Sequence, residues 1–159
     1  MKLEDFMEEQ LQERYKHFII YGPPMRGKTK LAIRVSELFG GIYIDLLDEF
    51  QKDNGKKEII DVFGPARLIA WIKERALKKD SHERLMVVDQ MDFLINTWDD
   101  NQFRELLAFI DQNQSKFCCM FVMHNYRILE RETLIKDNDK GHKRLINIYS
   151  IQQGGTIDG

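Results

Sequence analysis

The sequence predicts an α/β fold, a five-stranded parallel sheet held between two layers of helices. Two observations carry this. Short apolar runs alternate with longer segments whose apolar residues recur every three or four positions, the periods of strands and amphipathic helices. Each run is also apolar along its length instead of at every second residue, as strands covered on both faces are. Ligands of such sheets bind at the carboxyl ends of the strands.

The elements follow in order. Residues 2–16 read as an amphipathic helix, with Leu3, Phe6, Met7, Leu11 and Tyr15 on one face, acidic residues opposite, and the apolar stripe expected to be exposed. Phe18-Ile19-Ile20-Tyr21 is the first strand. After a loop, a helix carries Leu31, Ala32, Val35, Leu38 and Phe39 and ends at the C-capping pair Gly40-Gly41. Ile42 to Leu46 is the second strand. Asp48 to Lys57 is polar and contains the turn signal Asn54-Gly55. Gly64-Pro65 starts a helix with Leu68, Ile69, Ile72 and Ala76 at helical spacing. Leu85 to Asp89 is the third strand, and Asp99 or Asp100 caps a helix with Phe103, Leu106, Leu107 and Ile110. Phe117 to Met123, continuously apolar, is expected at the centre of the sheet. A basic connector, Arg127 to Arg144, leads to a fifth strand over 145–151 and a loose tail over 152–159.

At 159 residues, with 43% hydrophobic and 31% charged residues, the chain is expected to be a single domain with a proper core. A net charge of −2 gives no bulk attraction to nucleic acid or an anionic membrane. No stretch approaches the ~18 apolar residues of a membrane span, and Met1-Lys2-Leu3-Glu4-Asp5 is too acidic for a signal peptide. Cys118 and Cys119, adjacent in an apolar run, suit buried thiols in a reducing compartment, so a cytoplasmic location is expected.

The chemistry concentrates in Gly22-Pro23-Pro24-Met25-Arg26-Gly27-Lys28-Thr29, which fits Gly-x-x-x-x-Gly-Lys-[Ser/Thr], the Walker A phosphate loop, between a strand and a helix. Backbone N–H groups of such a loop form an anion nest beneath the positive end of the helix dipole. Gly22 and Gly27 permit the tight turn, and Pro23 and Pro24 stiffen it. In that role Lys28 reaches the β- and γ-phosphates of ATP and the Thr29 hydroxyl ligates Mg²⁺. Arg26 points to nucleotide or to a partner.

A phosphate loop needs an acidic partner. Asp89, ending Leu85-Met86-Val87-Val88, has the Walker B pattern and is expected to help hold Mg²⁺. Gln90 follows, and an amide can orient water but cannot take its proton. Asp92, Asp45 and Asp48 are substitutes for the missing base. At the end of the fourth strand, Asn125 is favoured over His124 for contact with the γ-phosphate or the lytic water, because an amide both donates and accepts. Arg127, Arg131 and Arg144 lie on the connector, with Arg131 and Arg144 the candidates for an arginine acting on a neighbour's nucleotide. Lys136, Lys140, His142, Lys143 and Arg144 are the cluster DNA would use, but Asp137 and Asp139 interrupt it, and a solvated loop accounts for it better.

With these residues in place, 17–151 resembles the AAA+/ASCE division of P-loop NTPases. The expected architecture is therefore a three-layer P-loop fold with an N-terminal helix and without the C-terminal helical lid, since only eight residues follow Ile151. More narrowly, Gly22–Thr29 and Val87-Val88-Asp89-Gln90 resemble the BrxF family of small P-loop proteins in type III BREX phage-defence systems. That resemblance implies a bacterial cytoplasmic ATPase working as a homo-oligomer or with other defence-system proteins. Hydrolysis is expected to be slow or partner-activated. A non-hydrolysing, nucleotide-gated assembly module is the alternative, favoured by Gln90 and the apolar stripe of residues 3–15. A small P-loop kinase comes third, because 127–144 offers only a thin version of an arginine-rich lid.

Overall fold

The computed structural model describes residues 2–24, 27–78, 84–131 and 135–152. Five parallel strands, β1 (Phe18–Tyr21), β2 (Ile42–Asp45), β3 (Leu85–Asp89), β4 (Cys118–Met123) and β5 (Leu145–Asn147), form one sheet in the order β2-β3-β4-β1-β5. The α/β class and the parallel five-stranded sheet expected from the sequence are both present. β4 is central, as its unbroken apolar run predicts, and all six of its residues are buried.

Alternation along each strand splits the interior into two cores. Ile19, Ile44, Val88 and Phe121 face α5 (Pro65–Lys78) and α7 (Asp100–Gln112), meeting Leu68, Ile72, Phe103 and Leu106. Phe18, Ile20, Val87, Met120 and Val122 point the opposite way, onto α1 (Leu3–Gln10) and α2 (Lys28–Leu38). The sheet is therefore covered on both faces.

Local signals explain the ends of these helices. Gly40 takes φ 64° and the Gly41 N–H donates to the Ser36 carbonyl at 2.7 Å, closing α2 with the glycine cap its sequence announces. Asp99 caps α7: its carboxylate accepts from the Gln102 N–H at 2.8 Å, while the Gln102 side chain accepts from the Asp99 N–H at 2.9 Å. Pro65 opens α5, where a missing N–H costs nothing.

Four expectations are corrected. The N-terminal helix stops at Gln10 because the Gln10 side-chain amide donates to the carbonyls of Tyr15 and Lys16, at 2.9 and 2.8 Å, and folds the chain back. Its apolar stripe is not exposed: Leu3, Phe6 and Met7 are each at most 2% accessible, packed into the second core. The polar segment after β2 is helical, forming α3 (Leu46–Lys52) and α4 (Asn54–Glu58), because Asp45 and Asp53 cap both through their carboxylates. The fifth strand ends at Asn147, whose side chain accepts from the Tyr149 N–H at 3.0 Å and turns Ile148–Gln152 into α9. Ile148 and Ile151 then share a helical face in the second core.

No helix among the described residues is long and apolar enough to cross a membrane. Cys118 and Cys119 are buried free thiols, and burial raises the pKa of both above the usual thiol range.

Candidate functional site

The strand order decides which residues meet. β4 lies between β1 and β3, so the loop leaving β1, the carboxylate ending β3 and the polar residues after β4 converge at one end of the sheet. They line a cavity of about 400 Å³, within the range of ligand pockets. Lys28 and Thr29 enter it from the start of α2, Asp89 and Gln90 from the end of β3. Asp92 enters from α6 (Asp92–Ile95) and His124 from the end of β4. A larger, more apolar recess of about 590 Å³ runs beside Tyr21 and β5, but among the described residues no carboxylate lines it. The polar cavity is the better candidate for chemistry.

The loop is described except at Met25 and Arg26, so the roles expected for those two lie outside the described residues. Gly22 is needed for space: a Cβ there would lie 2.4 Å from Ile148 Cγ2. Its N–H donates to the Met123 carbonyl at 3.2 Å, anchoring the loop to β4. Gly27 takes φ 76° and is the N-cap of α2, a left-handed conformation that favours glycine. Pro23 carries the carbonyl that accepts from Lys28 Nζ, and Pro24 lines the cavity wall. Lys28 is only 8% accessible. Burial holds its ammonium below the usual lysine range, while Asp92 and Asp89 pull the other way.

Asp89 is buried and closely held. Its Oδ2 accepts from the Tyr43 hydroxyl at 2.7 Å and its Oδ1 from the Gln90 N–H at 2.8 Å. Gln90 has φ 58°, the one non-glycine positive φ among the described residues. From that backbone its side-chain amide donates to Thr29 Oγ1 at 2.9 Å. Burial first, then Asp89, pushes the Tyr43 phenol well above its ordinary pKa, so it stays a donor.

A second polar group, around Asp92, lines the same cavity. Asp92 Oδ1 accepts from the Tyr126 hydroxyl at 2.6 Å and from the His124 N–H at 2.9 Å. Asp92 Oδ2 lies 3.3 Å from His124 Nε2. Burial, with Asp92 second, raises the Tyr126 phenol in the same way.

Several expected site residues fall elsewhere. Asn125 is exposed and does not line the cavity; the strand end places His124 there, reversing the preference between them. Asp45 caps α3, accepting from the Asp48 N–H at 3.0 Å, and Asp48 pairs with Lys52 at 2.8 Å, so neither enters the cavity. Arg127 is exposed at the start of α8 (Arg127–Arg131), and the Arg131 side chain lies outside the described residues.

Arg144 is not available to a neighbouring subunit. It is 1% accessible, and its guanidinium donates to the Lys136, His17, Ile110 and Asp111 carbonyls at 2.8–3.1 Å. It also pairs with the Asp111 carboxylate at 3.1 Å. Its charge is consumed by the interior, which also removes it from any DNA-binding cluster. Tyr43 and Tyr126, which orient the two carboxylates, carried no signal in the sequence: each is one aromatic in a strand or turn until the register brings its hydroxyl to a partner.

No protein-family model matches the chain, and no curated protein is significantly similar to it.

Proposed function

We propose that this chain is a P-loop NTPase of AAA+ type that binds ATP with Mg²⁺, turns it over slowly or on activation by a partner, and acts within a multi-protein assembly. One observation carries the reading: Lys28 and Thr29, at the start of an 11-residue helix, share a cavity with Asp89 on a strand two positions away in the sheet. A cation, a hydroxyl and a carboxylate around a helix N-terminus suit a triphosphate and its metal.

The donor set fits a hard divalent cation held partly by substrate. Among the described residues no group of three His, Cys, Asp or Glu side chains makes a metal site unaided. Thr29 Oγ1 and the Asp89 carboxylate are hard oxygen ligands, of which Mg²⁺ takes one or two from protein and the rest from phosphate and water. When bound, Mg²⁺ neutralises charge on the β- and γ-phosphates. Lys28 would leave the Pro23 carbonyl for those oxygens, and Tyr43 would keep the Asp89 carboxylate turned toward Thr29.

Gln90 favours a second reading, a nucleotide-gated assembly module that does not hydrolyse, because no carboxylate follows Asp89. Assembly with defence-system proteins of the BREX type rests on the resemblance of residues 22–29 and 87–90. The decisive experiment is calorimetric titration with Mg²⁺-ATP and with ATP in EDTA. Binding by the parent, lost in Lys28→Ala and selectively weakened with Mg²⁺ in Asp89→Ala, is expected. Unaltered ATP affinity in Lys28→Ala overturns the reading. Single-turnover cleavage separates enzyme from gate.

A further inference from the structure

The Asp92–His124–Tyr126 cluster is not accounted for by nucleotide binding, and its Asp92 and His124 line the same cavity as Lys28 and Asp89. The Asp92 carboxylate accepts two hydrogen bonds, from the His124 N–H and the Tyr126 hydroxyl, and its other oxygen lies 3.3 Å from the His124 ring. Asp92 is thus a fixed orienting group and a poor proton acceptor. Nε2 of His124 lies 3.3 Å from Asp92 Oδ2, where a carboxylate favours the tautomer with its proton on Nε2 and leaves Nδ1 as the base, and Nδ1 has no partner among the described residues. The His124 side chain is 38% accessible and lines the cavity wall. Gln90, by contrast, has no proton-accepting group, and Asp89, which already accepts from Tyr43 and the Gln90 N–H, is the candidate ligand of the metal ion.

We propose that His124, oriented by Asp92, is the proton acceptor for the water that attacks the terminal phosphorus of the bound triphosphate. The inference rests on the nucleotide reading above and supplies the base that Gln90 does not. The water oxygen forms a bond to the γ-phosphorus as the bond from that phosphorus to the β,γ-bridging oxygen breaks. The nucleoside diphosphate leaves with that electron pair, and the water proton passes to His124 Nδ1 and then to solvent. Asp92 fixes the His124 backbone and stands beside its ring, and Tyr126 holds Asp92. The same cavity is lined by Lys28, Thr29 and Lys30 of α2, Asp89 of β3 and Gln90 after it.

The test combines ATP affinity with single-turnover cleavage from pH 5.5 to 9 on the full chain, comparing the parent with His124→Gln, His124→Ala and Asp92→Asn, each checked for folding by circular dichroism. Expected for His124→Gln is ATP affinity within about threefold of the parent, cleavage slower by about a hundredfold, and loss of the decline in rate toward acid pH. In His124→Ala, added imidazole restores part of the rate. In Asp92→Asn the cleavage rate falls while ATP affinity stays within about threefold of the parent; a purely structural Asp92 would lower both together. The proposal falls if the parent binds ATP yet does not cleave it, or if His124→Gln keeps the parent rate and acid limb. A parent that fails to bind ATP overturns the nucleotide reading, and this one with it.

Discussion

The side-chain amide of Gln90 donates to the Thr29 hydroxyl oxygen at 2.9 Å, joining the turn after β3 to the first turn of α2. The bond occupies a lone pair on the oxygen that a divalent cation would use, and it is made from a residue at φ 58°. The Gln90 amide and such a cation would therefore compete for one atom.

Gln90→Gly is expected to remove the competition. Losing the hydrogen bond costs about 1 kcal/mol, and relief of the left-handed backbone returns a similar amount. Thermal stability should stay within about 1 kcal/mol of the parent while Mg²⁺-ATP affinity rises several-fold. Calorimetry reads the second quantity; weaker binding would show instead that the amide holds Thr29 in its productive rotamer.

Gly22→Ala should destabilise by about 1–3 kcal/mol, because the new methyl group meets Ile148 Cγ2 at 2.4 Å. Ile148→Ala removes that atom. A double-mutant cycle by urea denaturation should show coupling of at least about 1 kcal/mol, and additivity would mean the loop accommodates a Cβ by shifting.

Arg144→Ala is expected to cost about 3–5 kcal/mol, since Asp111 and four carbonyls lose a buried partner. Arg127→Ala, at an exposed position, should stay within about 0.5 kcal/mol of the parent. Equal effects in the two denaturation curves would contradict the burial of Arg144.

His17 gives a pH signature. Its Nδ1 accepts from the Cys119 N–H at 3.0 Å and its Nε2 faces the Asn113 side-chain oxygen at 2.9 Å, so the ring is neutral and fully buried. Burial lowers its pKa from 6.5 to about 4. Between those values the unfolded chain binds a proton that the folded chain does not, so stability falls as pH falls. The contribution is complete above pH 6.5 and largely gone at pH 4, a loss of about 3 kcal/mol. His17→Gln should be less stable at pH 7.5 and lose less on acidification, and parallel stability–pH curves would refute this.

Much of the frame was legible because burial on both faces leaves an unmistakable run, as at Leu85–Asp89 and Cys118–Met123. The capping of α7 by Asp99 and of α2 by Gly40-Gly41 was legible for the same reason: each residue answers a local backbone need. What escaped depended on partners distant in sequence. Whether His124 or Asn125 meets the cavity turns on where β4 stops and on Asp92, 32 positions away. Arg144 sits in a basic run that reads as solvated, and only Asp111, 33 positions upstream, explains its burial. The helices after β2 were hidden by Asn54-Gly55, a turn signal that here follows a capping aspartate and opens a helix.

The Arg144 guanidinium ties the approach to β5, the entry to β1 and the C-terminal end of α7 into one unit at the amino ends of the strands. The cavity lies at the far rim, held by single hydrogen bonds between side chains: Gln90 to Thr29, Tyr43 to Asp89, Tyr126 to Asp92. Stiffness and reactivity are thus assigned to opposite poles of the sheet. A ligand entering at the rim would meet only these single bonds, and the clamped pole would stay in place beneath it.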